Sequence, residues 1–374
     1  MSFPVGLVRG LVFVLGLSVV GLTLSSAIGT FVLPRADRSQ LNRIVFGLLR
    51  RCINFMLRFT QSFGRRDTIM AYYAPLGLML LLPAWYMLVL LGFAAMYWAV
   101  GAGDAFAVFR LSGSSLFTLG FDISKTPIVT ALAFSEAMLG LMLVGLLIAY
   151  LPTMYAAFSR REQLVNLLEV RAGGPPSALE MLLRFNRIHG FDRLADYWRT
   201  WEAWFADVEE SHTTLPALVF FRSPRPENSW VTAAGTVLDA AALTLSAIDI
   251  PSEPSAALCL RAGFLSLRHI ANYFDIPNPQ NPSYPRDSIC VTRQEFDELL
   301  DQLVAGGLKL KPDRDQAWRD FAGWRVNYDR TLILLCGMVM APPAAWSSDR
   351  VPEFVLPPLM IFKKQKAISQ IEDI

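Results

Sequence analysis

Hydrophobic and polar positions divide this chain into two unlike parts, with every long uncharged stretch in the first 160 residues. Residues 10–34 carry no charge, and a helix of that length covers the roughly 30 Å hydrocarbon core of a bilayer. A first transmembrane helix is therefore predicted within residues 1–34. A second run, 68–103, is uncharged for 36 residues, more than one upright helix needs and too few for two spans with a loop. It predicts one tilted outer helix over 80–100, with Pro75 and Pro83 near its start and Trp85, Tyr86, Tyr97 and Trp98 near interface depth. The third run, 126–159, predicts an inner helix over 127–158, ended or bent at Pro152 and followed by Arg160 and Arg161. Glu136 is its only charge. Facing lipid it would cost roughly 2.5–3.5 kcal/mol, so this acid is expected to be buried in protein or to sit at a water-filled mouth.

Between the first two spans, residues 35–68 hold Arg35, Arg38, Arg43, Arg50, Arg51, Arg58, Arg65 and Arg66 against only Asp37 and Asp67. Positive charge marks the cytoplasmic side, which puts this loop and everything after Arg160 inside, and the N-terminus outside. Ile44, Phe46, Leu48, Leu49, Ile53, Phe55, Met56 and Phe59 recur among those arginines at helical spacing. They predict an amphipathic helix lying in the bilayer interface or packed on the cytoplasmic part.

Residues 160–374 read as a mainly helical cytoplasmic domain, long enough for its own core. Ser177 and Glu180 have capping-box spacing, and Leu194, Tyr197, Trp198, Trp201, Trp204 and Phe205 form a stripe expected in the core. His212, beside Glu209 and Glu210, reads as a loop cap or satisfied surface histidine, with a switch or metal ligand as the sharper alternative. The alanine-rich stretch 231–250, interrupted by Asp239, is expected to be a buried soluble helix. Four prolines in 275–288 predict a loop or lobe boundary, and a helix follows over 292–303. The apolar 332–343 is too short for an obvious span and reads as core.

Composition sharpens this picture only at the margins. The chain is 53% hydrophobic and 18% charged, which fits a bilayer as partner. Its 34 basic and 32 acidic residues exclude an overall polybasic nucleic-acid binder. Four cysteines without C-x-x-C spacing and three scattered histidines predict no disulfide framework, structural metal or other resident cofactor. Phosphate-loop, dinucleotide and nucleophile-elbow motifs are all missing from the sequence, so nothing here reads as an enzyme.

The segment 104–122 carries the most chemistry. Lying between two spans, it is too short to cross and return as full helices, and fits a short helix from Asp104 to Leu116 followed by a re-entrant strip. SSLFTLGFD, residues 114–122, resembles the pore helix and filter of the potassium-channel superfamily, whose outer helix, pore helix, filter and inner helix follow in this order over residues 80–158. Thr118, Leu119, Gly120 and Phe121 match the first four positions of its TVGYG-type filter, and Asp122 stands where the second glycine would be. The resemblance implies an all-α membrane protein with a channel-like pore domain over 69–159. It implies a homotetramer that conducts potassium or other monovalent cations, with carbonyls of residues 118–121 and the Thr118 hydroxyl as ligands for bound potassium. Phe117 and Phe121 would brace the walls, and four Asp122 carboxylates would ring the outer mouth. Gly140 and Gly145 would serve as hinges or close contacts of the inner helix, and Leu143, Leu147 and Leu151 as an apolar constriction. Asp122 also motivates a rival, a non-conducting membrane sensor or scaffold that signals through the cytoplasmic domain. Neither reading names a cytoplasmic ligand or protein regulator.

Overall fold

A computed structural model describes residues 3–31, 40–60, 62–122, 126–251 and 253–351. Arg35, Asp37 and Arg38 of the basic loop lie outside the described residues. Among those described there is no β-strand, only an isolated bridge between Ile248 and Leu310. The α-helices are α1 (Phe3–Phe31), α2 (Gln40–Leu57), α3 (Phe63–Ala71), α4 (Tyr73–Ala99), α5 (Ala105–Leu116), α6 (Pro127–Ala172), α7 (Ala178–Arg187), α8 (Leu194–Thr214), α9 (Trp230–Ser246), α10 (Pro254–Tyr273), α11 (Arg293–Ala305), α12 (Arg314–Arg325) and α13 (Asp329–Val339). Among the described residues, three stretches are long and apolar enough to cross a membrane: Val5–Phe31, Phe63–Ala99 and Pro127–Ala172.

The chain forms two compact units, one of Met1–Met56 with Tyr72–Ala156 and one of Leu57–Ala71 with Ala157–Ile374. In the first, α1 packs along α4 at a glycine crossing. A methyl group on Gly92 would meet the Gly16 carbonyl at 2.9 Å and a Val20 methyl at 2.7 Å, so only glycine lets the two backbones approach. Trp85 Nε1 donates to Ser26 Oγ across the same pair at 3.3 Å. The outer helix starts at Tyr73 rather than at 80, because Pro75 falls in the first turn, where its missing N–H costs nothing. Helix α2 forms as its periodicity predicts, and leaves Ile44, Leu48, Phe55 and Met56 exposed.

Pro152 does not end the inner helix: α6 runs through it to Ala172, fourteen residues past the predicted end at 158. The Thr153 hydroxyl donates to the Ala149 carbonyl at 3.4 Å beside the proline, and the sequence beyond stays helix-forming.

The second unit is built around α9, buried on every side, as a helix apolar all round must be. The α8 stripe packs largely against α10, with Trp198, Trp201, Trp204 and Phe205 all buried. Loop 275–288 is irregular, as its prolines require, and lies inside this unit. Ser177 precedes α7 without a side-chain cap, so its spacing with Glu180 forms no capping box. Thr292 does form one: its hydroxyl accepts the Glu295 N–H at 3.2 Å, and Glu295 Oε2 accepts the Thr292 N–H at 2.8 Å. Thr292→Ala is expected to cost about 1 kcal/mol, read as a lower urea midpoint of the full-length protein at unchanged slope.

Candidate functional site: the re-entrant segment and the inner helix

The segment between α4 and α6 begins with a cap. Asp104, in extended backbone, accepts the Ala107 N–H at 2.8 Å and starts α5 at the predicted place. Val108, Leu111, Ser112, Ser114 and Leu116 form its buried face, while Phe106, Phe109 and Arg110 are exposed.

A buried acid holds this short helix between the two spans. Glu136 of α6 is wholly buried, and both its oxygens are engaged. Tyr97 of α4 donates its hydroxyl to Oε2 at 2.8 Å. Ser112 of α5 lies 2.5 Å from Oε1 and 3.0 Å from the Leu90 carbonyl, and its single proton goes to the nearer, carboxylate partner. One side chain thus ties α4, α5 and α6 together. Of the two placements predicted for Glu136, the structure gives the buried one.

Gly140 is a point of close packing. A methyl group there would collide with the Leu116 carbonyl at the end of α5, and the Gly140 carbonyl accepts the Tyr86 hydroxyl at 2.6 Å. Gly145 has open space around it and makes no comparable contact. Leu143 is a correction. It is fully buried within the chain itself, where it cannot line a path shared with other copies, leaving Leu147 and the exposed Leu151 for any constriction.

Past Leu116 the backbone curls around Ser114. The N–H groups of Leu119 and Gly120 point to the Ser114 carbonyl at 2.8 and 3.4 Å, and the Asp122 N–H points to Ser114 Oγ at 3.1 Å. Positive φ at Thr118 (53°) and Gly120 (70°) permits that curl. With its donors turned inward, the strip leaves the carbonyls of Thr118, Leu119, Gly120 and Phe121 without a hydrogen-bond donor among the described residues. Such a row of oxygens can coordinate a cation once partners surround it. The Thr118 hydroxyl is turned back to the Phe117 carbonyl at 2.7 Å. Phe117 rests against Tyr86, with ring centroids 5.2 Å apart, yet is half exposed. Phe121 is 60% exposed, so it braces no wall within one protomer. Arg110 pairs with Asp122 at 3.1 Å, an attachment the sequence reading missed. Ile123, which follows, lies outside the described residues.

A second cluster, also unforeseen, sits further along α6. Arg161 is wholly buried and donates to Glu162 Oε1 (2.9 Å), the Leu218 carbonyl (2.9 Å) and the Phe221 carbonyl (2.8 Å). Its Nη1 also lies 3.2 Å from His212 Nε2. His212 is therefore buried on α8, contrary to its reading as a loop or surface histidine. Burial, with the Arg161 charge beside it, holds its imidazole well below the ordinary range. Sequence pattern offered one signal for this: an arginine inside a helix that continues into a soluble core must find acceptors there.

No protein family, curated protein or solved structure matches this chain.

Proposed function

We propose that this membrane protein is a cation channel, in which four copies surround one path for potassium or other monovalent ions. The carrying observation is the strip 118–121, whose Thr118 N–H turns onto the Ser115 carbonyl and whose Leu119 and Gly120 N–H groups turn onto the Ser114 carbonyl, while its own carbonyls accept nothing among the described residues, between two helices able to span a bilayer. A single strip cannot enclose an ion, so the function requires a closed ring of copies. Phe134, Met138, Leu141, Ile148 and Tyr155 support such a ring: they recur at heptad spacing along α6 and are all exposed in the protomer. Orientation follows from the arginine count, and 57–71 belongs to the same compact unit as 157 onward, as segments on one side of a membrane should.

The rival, a non-conducting sensor or scaffold, draws support from the Arg110–Asp122 pair, which ties down the residue in the glycine position and neutralises the proposed mouth charge. Purified protein in liposomes separates the two. Potassium flux that falls sharply in Gly120→Ala and Thr118→Ala, with the tetramer intact by mass measurement, is the expected result. Tetramers of parent and variants that are equally inert would leave the scaffold reading. Reversal potentials in opposed potassium and sodium gradients then give the selectivity.

A further inference from the structure

One side of helix α2 is covered by protein and the other is not. Phe46, Arg50 and Ile53 share the covered side, which rests on the ends of two spanning helices. The Phe46 ring sits so close over Gly77 of α4 that a methyl group there would collide with it, and the Phe46 carbonyl accepts the Tyr73 hydroxyl at 3.4 Å. Arg50 is buried with its guanidinium 5.2 Å from the centre of the Tyr73 ring, and Ile53 is buried as well. Near the start of α2, Asn42 donates Nδ2 to Thr30 Oγ1 in the last turn of α1 at 2.7 Å. Helix α1 ends and α4 begins at these contacts, so α2 lies at the depth where spanning helices leave the hydrocarbon.

The side facing away is apolar. At about 100° per residue, Ile44, Leu48 and Phe55 fall on one stripe with Met56 beside it, and each is about half exposed or more. Cys52, within the same arc, is exposed. The helix contains no acidic residue, and its two exposed arginines, Arg43 and Arg51, stand on one flank of the arc. No acid among the described residues pairs with either. An apolar arc bordered by cations, held at interface depth, complements an anionic bilayer surface: acyl chains cover the arc, and headgroup phosphates meet guanidinium forks that bind two oxygens at once.

We propose that α2 is a binding element for anionic phospholipids, with its outer arc set among acyl chains and Arg43 and Arg51 on headgroup phosphates. The inference requires that the chain span a membrane, and stands whether or not the first unit conducts ions.

Two measurements on the full-length protein test it. A nitroxide is attached to Cys52 in nanodiscs of mixed phosphatidylglycerol and phosphatidylcholine; Cys259 and Cys336 are buried, and Cys52→Ser supplies the background from the remaining thiols. Oxygen, which partitions into acyl chains, should reach the label more often than a water-soluble nickel chelate does. Separately, native mass spectrometry of the detergent-purified protein counts retained phosphatidylglycerol against phosphatidylcholine. The anionic preference should fall about tenfold or more when Arg43→Gln and Arg51→Gln are combined. Both substitutions are on exposed side chains, and native circular dichroism checks the fold. A label reached mainly by the chelate puts the arc in water, and one shielded from both agents puts it under a second copy or another protein; either overturns the proposal. Equal anionic preference in parent and variant overturns it as well, because the arginines then hold no headgroup.

Discussion

Arg325→Met is expected to destabilise the second unit by about 3–5 kcal/mol, because it strands two carboxylates in a dry core. The guanidinium is wholly buried and donates to Asp239, to Asp329 Oδ1 at 2.7 Å and to the Trp346 carbonyl. Burial opposes its charge, and Asp239 and Asp329 more than reverse that, holding it well above its ordinary range. Tyr328 donates to Asp239 at 2.7 Å, and the Cys290 N–H to Asp329 Oδ2 at 3.0 Å. The network therefore joins α9, α12, α13 and the loops at 290 and 346. Methionine fills similar space but supplies no positive charge, so both acids must protonate or draw in water. Removing the acids as well, in Arg325→Met with Asp239→Leu and Asp329→Leu, should recover much of the loss, since an apolar core needs no counter-charge. Urea unfolding in detergent, followed by tryptophan fluorescence, checks both. A single-variant loss below about 1 kcal/mol would mean that the network is more hydrated than its burial indicates.

This network also marks where sequence reading stops. The uncharged runs and the short helix from Asp104 were legible, because bilayer thickness and helix capping act on contiguous residues. The α8 aromatic stripe was legible too, since its packing repeats with the helix turn. Arg325 meets Asp239 across 86 positions, and Arg161 meets His212 across 51. No local pattern encodes such pairings. The same limit explains Leu143: periodicity offers it to one face of α6, but only neighbouring helices decide whether that face is covered. Pro152 misled for another reason, because its effect depends on whether nearby groups can take up the freed carbonyls. In the candidate filter, the order Thr118 to Asp122 could be read directly. The curl onto Ser114 and the Arg110 attachment could not, because both depend on residues five to twelve positions away.

Acidification should loosen the grip on the lower part of α6 through His212. Arginine has only donors, so His212 Nε2, 3.2 Å from Arg161 Nη1, must accept, which places the ring proton on Nδ1, facing Ser211 Oγ at 3.1 Å. Protonating Nε2 would set N–H against a guanidinium with no water between them. Glu162, bound to Arg161 Nε, is the charged neighbour on α6, and Trp230 covers the ring with centroids 4.7 Å apart. The folded protein therefore keeps this histidine neutral, whereas the unfolded chain protonates it near pH 6.5. Below that pH the unfolded state binds the extra proton, so stability falls with pH until the depressed folded value is reached. The slope approaches at most about 1.4 kcal/mol per pH unit, which gives a loss of up to about 2 kcal/mol between pH 7.5 and pH 5. Carboxylates also begin to titrate near pH 5, so the measurement is a difference between proteins. His212→Gln can still present an oxygen to Arg161 and has no proton to gain, and its unfolding free energy should lack this part of the acid slope. Parallel slopes for parent and variant would show that His212 is not the proton acceptor. If the slopes diverge as expected, proteolysis at pH 5 should cut first around residues 157–172, because the Leu218 and Phe221 carbonyls that hold Arg161 belong to the same buried cluster.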